Sequence, residues 1–195
     1  VFDPIDLQEE PGCSPTFIHT KADPNDVSRI CKQLAALKDK GYLVIVSIHW
    51  GNAFQKKLAE YQRPLARALV EAGCDVVVGH HPHTFHGVEI MENSVVLYSL
   101  GNFVMDAELV NRAHQGLPEG MATVWSMSPE SLVIVVDILD GRILKVYIYP
   151  IILDERGIPQ LSKGKQAGEI VDKIETLSCD IRWCRKLGRA ELSLA

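Results

Sequence analysis

Four histidines that follow apolar runs are the residues of this chain best suited to chemistry. They are His49 in Ile48-His-Trp-Gly51, and His80, His81 and His83 in Gly79-His-His-Pro-His83. A neutral imidazole offers a ring-nitrogen lone pair near physiological pH, which suits it to bind a divalent metal or to move a proton. His81 and His83 are two apart, so in extended backbone their rings project from one side. Pro82 between them fixes one φ and removes a backbone donor, which stiffens the loop. Histidines after strands also serve as loop caps or hydrogen-bonding anchors. The clustering favours metal ligation or direct substrate contact by His49, His81 and His83, with His83 foremost and His80 as the alternative to His81.

The elements that must hold these residues can be read from the pattern around them. Asp75-Val-Val-Val-Gly79 is a β-branched apolar run ending in glycine, which predicts a buried strand followed by a sharp turn. Tyr42 to Ile48 is a continuous apolar run of the kind buried on both faces. Between them, Leu58, Tyr61, Leu65, Leu69 and Val70 recur at helical spacing up to Gly73, and Pro64 places the main helix start near Arg63. The unit is strand, helix, strand, for which a parallel right-handed crossover is the expected geometry. That crossover brings His49 and the 80–83 cluster to one edge of a sheet, the carboxyl edge where open α/β sheets hold ligands. A further strand, Val95 to Ser99, runs into Leu100-Gly-Asn-Phe103, where Gly101 is expected to adopt a conformation that other residues resist. Asp75 reads as a strand-start residue, and Trp50 as a packing lid over His49.

At these residues the chain resembles the capsule-synthesis CapA family, which is associated with poly-γ-glutamate and is similar to the calcineurin-like metallophosphoesterases. Three blocks carry the resemblance in order: Ile48-His-Trp-Gly51, Gly79-His-His-Pro-His83 and Tyr98-Ser-Leu-Gly-Asn-Phe103. It runs from about Gly41 to Asp106 and fades to a general likeness beyond. It implies an α/β fold, the C-terminal portion of a metallophosphoesterase-like sandwich, with one or two divalent ions (manganese, iron or zinc) held by His49, His81 or His80, and His83. It also implies a metal-dependent hydrolase acting on an anionic polymer or phosphorylated substrate, alongside other capsule-synthesis proteins. Ser99 and Asn102, in the third block, become candidates for hydrogen bonding to ligand. Ser99 lacks the surroundings of a nucleophile elbow. Glu89 matches a glutamate common after the family's histidine loop and is a further substrate-binding candidate, its alternative being a solvated strand-edge charge. A metal pair calls for carboxylates, and Asp106 is the other one near the motifs.

The departures are equally specific. The family's upstream Gly-Asp, Asn-Leu-Glu and Asn-Asn-His blocks are absent, Ala53 stands where a glutamate often follows His-Trp-Gly, and His86 stands where a glutamine is common. The expectation is one domain over residues 1–195 that lacks its N-terminal half. The rival expectation is a non-catalytic subunit that binds polymer or partners and keeps the histidine loop without a complete metal centre.

The rest of the chain is read more briefly. Val1 to Asn25 is dense in proline and expected to be irregular, and Asn25 to Lys40 is helical by the spacing of Val27, Ile30, Leu34 and Leu37. Leu132–Leu139 and Arg142–Tyr149 flank Asp140-Gly141, a strong hairpin signal, with Met121 to Met127 as an expected neighbour. Val104 to Gly120 reads as a loop over the cleft, and Lys163 to Leu177 as an amphipathic surface helix. The 195 residues are 47% hydrophobic and 23% charged with net charge −5, a globular profile that argues against nucleic acid as a partner. No apolar run approaches the roughly eighteen residues a bilayer crossing needs. The location expected is cytoplasmic, or outside the membrane on an anchor if an N-terminal segment is missing. Five cysteines, without metal-type spacing, are expected as free thiols.

Overall fold

The computed structural model describes residues 21–106, 128–178, 183–186 and 189–193. The proline-rich start, the neighbour expected at 121–127, most of the 104–120 loop, His19 and His114 lie outside these residues.

Helix α1 (Pro24–Lys38) begins where the Asp23 carboxylate accepts from the backbone N–H groups of Asn25 and Asp26 at 2.9 and 3.0 Å, with Pro24 in the first turn. It is followed by Gly41, whose φ of +81° disfavours any residue with a Cβ. Strand β1 (Ile45–His49), helix α2 (Gln62–Glu71) and strand β2 (Val76–His80) form the expected unit. Pro64 sits in the first turn of α2, where its missing donor costs nothing. Strands β1 and β2 are parallel and in register from Ile45 opposite Val76 to His49 opposite His80. Strands β3 (Val88–Met91) and β4 (Ser94–Leu97) follow as a hairpin around Glu92 and Asn93, giving the sheet order β1-β2-β4-β3.

Two cores lie on the two faces of this sheet, because alternate residues of each strand point to opposite sides. Val77, Val96 and Tyr98 pack under α1 and α2 with Leu34, Leu69 and Trp50. Val76, Val95 and Leu97 pack instead against a second layer. That layer is a five-stranded antiparallel sheet of β5 (Glu130–Leu139), β6 (Arg142–Leu153), β7 (Pro159–Leu161), β8 (Trp183–Lys186) and β9 (Arg189–Ser193), together with α3 (Gly164–Leu177). The β5–β6 turn has Asp140 and Gly141 both at positive φ, as a two-residue hairpin requires. Helix α3 is amphipathic as expected, burying Ala167, Ile170, Val171 and Ile174. No helix among the described residues is long and apolar enough to cross a membrane.

Strand β1 departs from expectation. Its apolar run predicts burial on both faces, yet among the described residues it pairs only with β2, at the sheet edge, and Ile45 is 57% exposed. An edge position removes the neighbour whose side chains would have covered it.

Candidate functional site

The parallel register of β1 and β2 sets His49 beside His80, with ring centroids 5.0 Å apart, and the ladder runs one residue further as the Trp50 N–H donates to the His80 carbonyl at 3.1 Å. The chain then turns at Gly79-His-His-Pro-His83, where His81 has φ +108° and His83 φ +56°. Left-handed backbone at non-glycine residues costs of order 1–3 kcal/mol each and persists only where the surroundings enforce it. Here Phe54 N–H donates to the Pro82 carbonyl at 2.8 Å, and Asn102 grips His83 from the other side. The result places the His81 ring 4.2 Å from His49 and 6.3 Å from His83. His49, His80, His81 and His83 are therefore brought together at one sheet edge.

Two of these rings are fixed in tautomer as well as position. The Ile48 carbonyl can only accept, so His80 Nδ1, 2.6 Å away, must carry its proton. Asn102 Nδ2 donates to the carbonyls of His83 and Ser128 at 3.1 and 3.4 Å, which turns its oxygen to His83 Nδ1 at 2.8 Å. His83 Nδ1 is likewise the donor. With Nδ1 the donor in each, the Nε2 atoms of His80 and His83 are the ring nitrogens left for something else. Burial first, and then the nearby His49, push His80 and His81 below the ordinary imidazole pKa, and His83 and His80 add to the effect on His81. Both rings are held in the neutral, lone-pair-bearing form.

The other candidates take structural positions. Ser99 is 1% exposed and donates to the Thr84 carbonyl at 2.7 Å, pinning the β4 end to the histidine loop. Gly101 has φ +82°, the special conformation expected of it. Glu89 lies at mid-strand on β3, two strands from β2, where its carboxylate accepts from Arg63 Nε at 3.0 Å and from the Tyr98 hydroxyl at 2.8 Å. Burial, then the bond to Glu89, push the Tyr98 hydroxyl pKa well up. Asp75 accepts from Lys38 Nζ at 2.6 Å and Val44 N–H at 2.8 Å, a strand-start role. Trp50 is buried, stacks on Tyr98 at 5.6 Å and donates to the Tyr98 carbonyl at 2.8 Å. Gly79 is required by that contact, since a Cβ there would collide with the Tyr98 carbonyl and the Trp50 indole nitrogen. Among the described residues, no three histidine, cysteine, aspartate or glutamate side chains form a group able to hold a metal by themselves. Cys31 and Cys74 are free thiols, and burial pushes Cys74 up to about 11.

Residues missed in the sequence are Phe54 and the partner of His86. Phe54 stacks on His83 at 5.2 Å and 15°, and His86, buried, donates from Nε2 to the Gln55 carbonyl at 2.8 Å while its Nδ1 has no hydrogen-bond partner. Phe54 lies five residues past His49 in a run without periodicity, so no pattern marked it.

A mixed α/β sandwich that presents histidines from two parallel strand ends and the loop behind them is the metallophosphoesterase-like fold. The family model described as bacterial capsule synthesis protein PGA_cap matches residues 6–107, just over half of the chain, and the chain belongs to that family. The match begins well before Gly41. The capsule biosynthesis protein CapA of Bacillus anthracis is 41% identical over 97 residues, covering 46% of this chain and 24% of that protein. The PGA biosynthesis protein CapA of Bacillus subtilis is 40% identical over 83 residues, covering 43% and 22%. An uncharacterized protein of Sinorhizobium fredii is 27% identical over 194 residues, covering 80% of this chain and 42% of its own length. The aligned stretch thus spans about a quarter of each CapA protein.

Proposed function

We propose that this chain takes part in making a glutamate-type capsule polymer and that its histidine cluster is the imidazole half of a divalent metal centre. The observation that carries this is the pair of fixed tautomers: Nδ1–H of His80 on Ile48 and Nδ1–H of His83 on Asn102 leave two Nε2 lone pairs at one sheet edge. Ligating histidines elsewhere are oriented by the same kind of acceptor. His49 and His81 complete the set of nitrogens, and a metal pair held there would call for carboxylates beside them to balance its charge. Manganese, iron or zinc bound there would polarise a phosphoryl or acyl oxygen and lower the pKa of a bound water. The chain's own contribution is to hold neutral imidazoles rigidly, with Asn102, Phe54 and the strained loop as supports.

Titration of manganese, zinc and ferrous iron into the chain and its His83→Ala variant tests this. Stoichiometric binding by the wild type that is lost in the variant is the expected result, and no binding by either would sink it. The alternative of a non-catalytic polymer-binding subunit draws on one observation, that among the described residues no group of three metal-ligating side chains forms. Polymer binding by the wild type with no metal uptake would favour it.

A further inference from the structure

Beside the histidine cluster lies a cavity of about 610 Å³ between the histidine loop, the loop after β1, the start of β5 and the last turns of α3. It falls in the size range of pockets that enclose an organic ligand rather than an ion. His83 forms part of its wall, so the cavity shares that residue with the proposed metal centre. Its apolar wall is Phe54, Phe85 and Leu177, and Thr176 and Lys56 add polar atoms. Glu130 and Lys173, also on the wall, neutralise each other at 2.6 Å, and Asp172 stands next to them. Lys56 has no ion-pair partner among the described residues.

This lining discriminates among ligands. Outside the Glu130–Lys173 pair a densely charged anion such as a phosphate finds one ammonium, Lys56, and a further carboxylate, Asp172, whereas a wholly apolar ligand would bury Lys56 uncompensated. A short methylene stem bearing one carboxylate, on an amide backbone, satisfies both parts. We propose that this cavity is a subsite for one carboxylate-bearing unit of an amide-linked chain, stem against Phe54, Phe85 and Leu177 and carboxylate on Lys56, with the next linkage at His83. The subsite rests on the polymer reading above and gives it a direction along the chain.

Thr176 and Lys56 are exposed, so both tolerate substitution without disturbing the core. The chain is titrated with a γ-linked glutamate oligomer, following the Thr176 and Leu177 methyl resonances and the heat of binding, and zinc is titrated separately. Thr176→Trp, which fills the cavity, and Lys56→Glu, which reverses its charge, should each weaken oligomer binding about tenfold or more, with zinc affinity unchanged. Oligomer binding at wild-type strength in both variants overturns the subsite and leaves the polymer reading standing. Wild-type methyl resonances unmoved by the oligomer, with no heat, overturn the subsite and the polymer reading together, and the zinc titration then reports on the histidine centre alone.

Discussion

Replacing Asn102 by alanine separates what holds His83 from His83 itself. Asn102 is 7% exposed and makes three contacts: its oxygen accepts from His83 Nδ1 at 2.8 Å, and its amide donates to the His83 and Ser128 carbonyls at 3.1 and 3.4 Å. A typical intramolecular hydrogen bond contributes about 1 kcal/mol net, and the longest of these is weak, so the stability loss should be about 2 kcal/mol. The effect on zinc affinity should be larger, roughly 10- to 100-fold, because the ring is then free to rotate and to change tautomer. Urea unfolding measures the first and calorimetric titration the second. Asn102→Asp adds a control: it retains the acceptor for Nδ1 but turns a second oxygen toward two carbonyls. That variant should lose stability while keeping most of the zinc affinity. Zinc affinity within twofold of wild type in Asn102→Ala would refute the claim that Asn102 presets His83.

Other outcomes follow from particular contacts. Gly79→Ala should destabilise by about 2–3 kcal/mol, since the new methyl meets backbone and a buried indole; an unchanged urea midpoint would contradict the packing described. Tyr98→Phe removes the hydroxyl bond to Glu89 and should cost about 1 kcal/mol, seen as a lowered midpoint, while metal binding is unaffected. Burial, partly offset by the Gln55 carbonyl, holds His86 below its ordinary pKa of 6.5, and His80 and His81 shift the same way. The unfolded chain then takes up protons first, so stability is at its full value above pH 6.5 and falls as pH drops through 6.5 toward the lowered folded values. His86→Gln, which can still donate to Gln55, should flatten part of that fall between about pH 7 and pH 5; an identical pH profile would show that His86 does not contribute.

The β1-α2-β2 unit was legible because two short continuous apolar runs flank one segment of helical period, with a glycine closing each, and the β5–β6 hairpin because Asp140-Gly141 leaves a two-residue turn little choice. Strand β3 was not legible. Val88-Glu-Ile-Met91 is short, carries a charge at mid-strand, and turns through Glu92 at φ +55° without glycine, so its pairing with β4 is a tertiary effect. Strand β9 pairs with β6 and carries β8 on its other edge, yet Trp183-Cys-Arg-Lys186 alternates too weakly to declare a face. The histidines could be placed at one sheet edge from topology alone. Their tautomers could not, because these depend on the Ile48 carbonyl, supplied through strand register, and on Asn102, nineteen residues from His83.

Long-range ¹H–¹⁵N correlation of the imidazole nitrogens, recorded above pH 7 with and without zinc, tests the central claim most directly. The structure requires Nδ1–H for His80 and His83 and Nε2–H for His86, with zinc moving the Nε2 resonances of His80 and His83 and leaving His86 in place. An Nε2–H tautomer at His83, or zinc that leaves both Nε2 resonances unmoved, would contradict the account of this edge as a preset metal site.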